Sequence, residues 1–179
     1  MSRLPAPALA DAPEAALPLF DAIRKAAGKL PNAYALIGSL SPAALKLALE
    51  GDAALSRGAL SRADIEAIRV AVSASNGCDY CVAAHTAIGK MVGLKADELR
   101  QLREGGAGAE DAKRQALVDF ARHLVSTTGT VAAERVQAVL AAGWTSTQVV
   151  EAMLAISLIG FTNLVNRVND TPIDFPIPA

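Results

Sequence analysis

Two cysteines, one histidine and one glutamate give this 179-residue chain its chemical possibilities. Cys78 and Cys81 are its only cysteines, three residues apart, and His85, one of two histidines, follows Cys81 by four. A thiolate is a strong nucleophile, but a free thiol is mostly protonated at neutral pH. A neighbouring imidazole that takes the proton therefore raises its reactivity. A second cysteine three residues away resolves the first oxidation product as a disulfide. On a helix, Cβ atoms at i and i+3 lie about 5–6 Å apart, close to what a disulfide spans. His85 then reaches the Cys81 sulfur directly or through one water. Cys78 lies about 10.5 Å from His85 along the axis and needs a relay. The helix N-terminus favours a thiolate at Cys78 and the histidine favours one at Cys81; spacing alone leaves both open.

Glu66 precedes Cys78 by twelve residues, which on a continuous helix is about 18 Å and out of contact. Asn76-Gly77 is a turn signal between them. In an antiparallel hairpin, Glu66 and His85 sit about 15 and 12 Å from that turn and can meet. A carboxylate there orients the imidazole and increases its basicity, as the third member of a triad does. Tyr80, between the cysteines, reads either as a hydrogen-bond donor near the thiols or as a packed ring. Two other readings use the same side chains. C-x2-C-x3-H with Glu66 counts four zinc ligands, although one short helix rarely presents three of them tetrahedrally. Alternatively, the thiols are small buried hydrophobes beside a satisfied core histidine and a solvated glutamate.

Helices must position these residues. Leu19, Phe20 and Ile23 mark one from Ala15 to a stop at Gly28, and Ser41-Pro42 opens another to about Glu50. Ser61, with Asp64 three residues on, opens a third through Ile65, Ile68 and Val72. Beyond the turn, helices are expected from near Cys78 to Gly93, Lys95 to Arg103, Asp111 to Thr127 and Val131 to Ala141. Thr145 with Gln148 is a capping box for a last helix to about Val168, with Trp144 as a hydrophobic staple. His123 falls on a surface or interface position beside Asp119 and Arg122. No segment alternates as a strand. The expected fold is all-α: an extended arm over residues 1–14, one helical domain over 15–170, and an extended Pro-rich tail over 171–179.

At an offset of 85 residues, Leu60–Glu66 lies over Thr145–Glu151, with Glu66 on Glu151. Continued without a gap, Cys78, Cys81 and His85 fall on Asn163, Asn166 and Asp170. A bundle of two similar halves follows, with the polar chemistry changed in the second and the asparagines hydrogen-bonded within it.

The chain is 52% hydrophobic with mean hydropathy +0.31, which supports a core and excludes global disorder. A net charge of -1 and 4% aromatics argue against nucleic acid and anionic lipid as partners. The apolar stretch Val149 to Val165 contains Glu151, Thr162 and Asn163, and reads as a buried core helix rather than a membrane span. The N-terminus lacks the unbroken apolar run of a signal peptide. Two cysteines are too few for a secreted disulfide scaffold, so a cytoplasmic location is expected, where a close pair means redox or metal chemistry.

Glu66, Cys78-Asp79-Tyr80-Cys81 and His85 together resemble the E-x11-C-x-x-C-x3-H pattern of the alkylhydroperoxidase D-like proteins, in the carboxymuconolactone decarboxylase superfamily. The stretches NGCDYCVAAHTAIGK and NDTPIDFP look like its peroxidase-related branch, and the resemblance covers the chain from about residue 15. It implies an all-α fold of two similar halves and homo-oligomers, commonly trimers or hexamers. The implied activity is thiol-dependent reduction of organic hydroperoxides or hydrogen peroxide without metal or other cofactor. Cys81 would become the sulfenic acid, Cys78 would donate a proton and then resolve it, and Glu66 with His85 would relay protons. A dithiol or lipoyl-type protein would supply electrons. Better-known peroxidase members carry histidine just before the second cysteine, where this chain has Tyr80; a phenol of pKa about 10 shuttles protons poorly at neutral pH. The alternatives are a redox adaptor or sensor with little turnover, and a metal-binding or structural oligomer.

Overall fold

The computed structural model describes residues 2–106 and 111–178. Among them are nine α-helices: α1 Leu17–Ala27, α2 Asn32–Leu40, α3 Pro42–Leu55, α4 Arg62–Ser75, α5 Asp79–Met91, α6 Ala96–Glu104, α7 Ala112–Ser126, α8 Ala133–Ala141 and α9 Ser146–Asn169. There is no strand among the described residues.

Local chemistry sets the ends that matter for the site. Ser61 Oγ accepts from Asp64 N at 3.1 Å and starts α4. Thr145 and Gln148 form a reciprocal capping box that starts α9, and Trp144 and Val149, flanking that start, share one core cluster. Gly77, at φ 62, takes the left-handed conformation that lets α4 and α5 fold back as a hairpin.

Helix α4 is the central element. Ile65, Ile68 and Val72 pack towards Leu117, Phe120, Ala152 and Ile159, while Ala67, Val70 and Ala71 pack against Leu99, Leu102 and Val118. A third cluster joins Phe20, Ile23, Ile37 and Leu45.

The structure departs from the sequence pattern in four places. Helix α2 starts after Pro31 with no side-chain cap, and its run of apolar residues carries no clear period. Helix α3 continues past Glu50 to Leu55, with Gly51 giving it a close approach to Leu158; a Cβ there would lie 2.8 Å from Cδ2. The N-terminal arm contains two 3-10 turns, Leu9–Asp11 and Glu14–Ala16, and Arg3 N and Leu4 N each bond Asn169 at 2.9 Å. Helix α9 is only half a core helix. Val149, Ala152, Ala155, Ile159, Asn163 and Asn166 are buried, whereas Val150, Leu164 and Val168 on its other side are exposed. It is one helix, 24 residues, long and apolar enough to cross a membrane by length and composition. It also stands where the offset-85 register would place a second hairpin, so the two stretches fold differently.

Gly38 lies against Phe20 and Leu45; a Cβ there would overlap the Phe20 ring and approach Leu45 Cδ2 to 2.8 Å. Gly38→Ala is therefore expected to destabilise the fold by about 1–3 kcal/mol, read as a lower urea midpoint.

Candidate active site

The α4–α5 hairpin brings Glu66 and His85 together: His85 Nδ1 is 2.7 Å from Glu66 Oε2. Arg69, one turn along α4, donates from Nη1 to Glu66 Oε1 at 2.9 Å and from Nη2 to Asp52 on α3. The result is a hydrogen-bonded chain, Asp52–Arg69–Glu66–His85, with Glu66 4% exposed. Burial alone would push the Glu66 carboxyl up, but His85 and Arg69 outweigh it and hold it below the ordinary carboxylate range. Burial likewise opposes the charge on Arg69, and Asp52 and Glu66 restore it. Arg69 was not singled out by the motif, although its i+3 position from Glu66 is itself a readable signal.

Cys78 is not helical. It is the N-cap of α5 with φ -102 and ψ 89, and Cys81 lies in the helix's first turn. Both are free and buried. The two thiols are pushed apart in acidity. Cys81 is lowered to about 6, first by the hydrogen bond from Cys78, then by Asn166, His85 and Asn163, all against burial. Cys78 is pushed far up, first by that same hydrogen bond and then by burial and the charge on Cys81. His85 is a lesser cause of the Cys81 shift than Cys78 and Asn166.

Asn163 and Asn166 do not bond within the second half, as the sequence suggested; they reach across to the first. Asn163 Nδ2 donates to Ser73 Oγ at 3.1 Å and Asn163 Oδ1 accepts from Asn76 Nδ2 at 2.8 Å. Asn166 Nδ2 lies 3.3 Å from Cys81 Sγ. Asp170, in register with His85, instead ends α9 in the left-handed conformation at φ 55 and pairs with Arg3 at 3.7 Å.

Tyr80 bonds the tail and α2 through its hydroxyl. It donates to Asp174 Oδ1 at 2.7 Å, accepts from Ala33 N at 3.1 Å, and its ring meets Phe175 edge-on. Lys29 adds an ion pair to Asp174 at 3.1 Å and lies 3.8 Å from the centre of the Phe175 ring. Tyr80 is thus an anchor for the C-terminal tail. That tail, through Thr171, Pro172 and Ile173, walls a cavity of about 450 Å³ whose floor includes Gly77, Cys78 and Asn166. Cys78 faces this cavity and Cys81 does not line it.

Tyr34 of α2, missed with its helix, lines a small cavity with Arg69 and His85. Its phenol is pushed up by burial and by Asp52. His123 borders a separate cavity with Asp119, Arg122 and Arg135 and takes no part in this cluster. Among the described residues, no three His, Cys, Asp or Glu side chains gather where a metal ion could sit.

Residues 42–123 match the model of the carboxymuconolactone decarboxylase family, and the chain is similar to proteins of the superfamily of that name. Its members are enzymes. Within the superfamily the chain is similar to the alkylhydroperoxidase D-like branch. The structure is similar to an alkylhydroperoxidase core, an uncharacterized peroxidase-related protein from Ralstonia eutropha JMP134, with TM-score 0.86 and 26% identity over 97% of this chain and 92% of that one. A peroxidase-related protein from Silicibacter sp. TM1040 superposes with TM-score 0.82 and 21% identity, over 96% and 91% of the two chains. The debrominase Bmp8, in complex with 2,3,4-tribromopyrrole, shares the fold at TM-score 0.79 and 18% identity, over 97% and 94%. No curated protein matches this sequence.

Proposed function

We propose that this protein is a thiol-dependent peroxidase that reduces organic hydroperoxides or hydrogen peroxide through Cys81 and Cys78. The observation that carries this reading is geometric: Cys78 at the N-cap and Cys81 in the first turn of α5 are both free, Asn166 Nδ2 lies 3.3 Å from Cys81 Sγ, and Glu66 meets His85 on the same hairpin. Cys81 thiolate attacks one peroxide oxygen, the O–O bond breaks, and Cys81 becomes a sulfenic acid while the alkoxide leaves. Cys78 protonates the alkoxide, then attacks the Cys81 sulfur; the disulfide forms and hydroxide leaves, taking a proton relayed by His85 and Glu66. An external dithiol or lipoyl-type protein, in the cytoplasm, reduces the disulfide and is itself oxidised. The cavity over Cys78 gives that donor its approach.

Steady-state peroxide consumption with a supplied dithiol tests the activity. Turnover supports the reading; one stoichiometric oxidation without turnover would make the protein a redox sensor or adaptor. Consumption of a brominated pyrrole with no peroxide reaction would replace the reading with the chemistry of the debrominase.

Alkylation supplies a further check. The rate of iodoacetamide addition to Cys81 is expected to rise through pH 6 and level off near neutrality. A midpoint near the ordinary thiol value of about 8.5 would remove the basis for Cys81 as nucleophile.

The exposed Val150, Leu164 and Val168 on α9 fit burial between copies in a homo-oligomer, a trimer or hexamer. Light scattering should give a multiple of 18.4 kDa, and Leu164→Glu should lower it; a native monomer at micromolar concentration would refute the assembly.

A further inference from the structure

Helix α9 presents three buried asparagines, Asn163, Asn166 and Asn169, at i, i+3 spacing along its inner face. Two have both ends of the carboxamide occupied. Asn163 bonds Ser73 and Asn76. Asn169 Oδ1 accepts from Ser2 Oγ at 2.8 Å and Leu4 N at 2.9 Å, and its Nδ2 donates to Thr171 Oγ1 at 3.1 Å. Asn166 breaks the pattern. Its Nδ2 meets the Cys81 sulfur at 3.3 Å, but its Oδ1 is buried and meets no donor among the described residues. Asn166 as a whole is 3% exposed. A buried carbonyl oxygen without a donor is costly, and such groups in native structures call for an explanation.

The explanation lies in which atom the other end of the carboxamide touches. Cys81 is the side-chain hydrogen-bond partner of Asn166, and its hydrogen-bonding capacity changes during the proposed reaction. As a thiolate it only accepts, and Nδ2 donates to it. After Cys81–S⁻ + ROOH + H⁺ → Cys81–SOH + ROH, the same sulfur carries a new hydroxyl, which is a donor. Oδ1, on the same carboxamide, is the nearest idle acceptor that side chain offers.

We infer that Asn166 is a positioning residue that holds two successive states of Cys81, the thiolate through Nδ2 and the sulfenic acid through Oδ1. This rests on the peroxidase reading for the second state only; the first concerns the resting thiol. The carboxamide keeps the sulfenic acid oriented until Cys78 attacks from the cavity side. Neither a carboxylate, which has no donor, nor an apolar side chain, which has neither group, does both.

Two variants separate the two ends. Asn166→Leu removes donor and acceptor while keeping the same branching of heavy atoms, and Asn166→Asp keeps only acceptors. In the Cys78→Ser background, both are expected to raise the pH midpoint of Cys81 alkylation, by about one unit for Leu, or tenfold less thiolate at pH 6, and by more for Asp. The lifetime of the dimedone-reactive sulfenic acid should shorten about tenfold in Asn166→Leu and persist in Asn166→Asp. A merely structural residue would not split the two readouts in this way. Equal behaviour of the variants in both assays, or no change in either, would overturn the inference.

A measurement on the unsubstituted Asn166 covers the case in which these variants do not fold. The ¹⁵N-labelled side-chain amide of Asn166 should titrate with the Cys81 midpoint and move again when one equivalent of hydrogen peroxide is added. An amide indifferent to both refutes the assignment. If the amide titrates with pH but no sulfenic acid ever forms, the peroxidase reading has failed and the thiolate contact stands.

Discussion

Cys81→Ser is expected to abolish the reaction with peroxide, and Cys78→Ser to allow a single turnover that stops at a sulfenic acid on Cys81. The asymmetry follows from the difference in acidity. With Cys81 lowered to about 6 and Cys78 pushed up, Cys81 is the thiol that ionises more readily at neutral pH. Serine at 81 offers no comparable nucleophile. Serine at 78 still donates a hydroxyl hydrogen bond towards the Cys81 sulfur, so the thiolate survives while the resolving thiol is gone. Cys78→Ala is the sharper probe, because it also deletes the largest cause of the low Cys81 value; its alkylation midpoint should move up, and that of Cys78→Ser should not. Dimedone trapping and peptide mass mapping read the outcome. In the wild type, one equivalent of peroxide should instead remove two hydrogens within a single peptide holding both cysteines. A dimedone adduct on Cys78 would reverse the two roles.

The pairing of Glu66 with His85 was legible because it needs only helix rise and one turn: Asn76-Gly77 sets the hairpin, and Gly77 does take the left-handed conformation the turn requires. Caps at Ser41, Ser61 and Thr145 were legible for the same local reason. What could not be read depends on packing between distant segments. The offset register aligned Asn163 with Cys78 and Asn166 with Cys81, yet nothing local says that a residue and its counterpart will touch across the core. Tyr80 looked like a substitute for a proton-shuttling histidine, but its environment comes from Ala33, Asp174 and Phe175, far along the chain. Tyr34 was hidden because α2 begins at an uncapped Pro31 and shows no amphipathic period. Arg69 is the exception, a local i+3 neighbour of Glu66 whose role follows from helix spacing alone.

Glu66→Gln and His85→Ala should slow closure of the disulfide by about 10²–10⁴-fold while affecting the peroxide step less, with the first-step cost disappearing above about pH 8. A general base is not needed to ionise Cys81 at neutral pH. The Cys78 proton passes to the departing alkoxide, and the group that must still be protonated is the hydroxide leaving the sulfenic acid. That lies in the second step, so sulfenic acid should accumulate in these variants and be trapped on Cys81. Glu66→Gln should also cost about 1.5–3 kcal/mol at pH 7, because its buried carboxylate holds Arg69 and His85. The pH dependence has a definite sign. A carboxyl whose folded value is lowered stabilises the protein above the ordinary carboxylate range and loses that contribution as pH falls through the folded value. The stability gap between wild type and Glu66→Gln should therefore be widest near neutrality and close in acid, in a range below that in which exposed glutamates titrate. Denaturant melts at several pH values measure this gap, and quenched-flow trapping measures the two steps. Equal losses in both steps at every pH, with a gap that does not close in acid, would make Glu66 a structural partner of Arg69 rather than part of a proton relay.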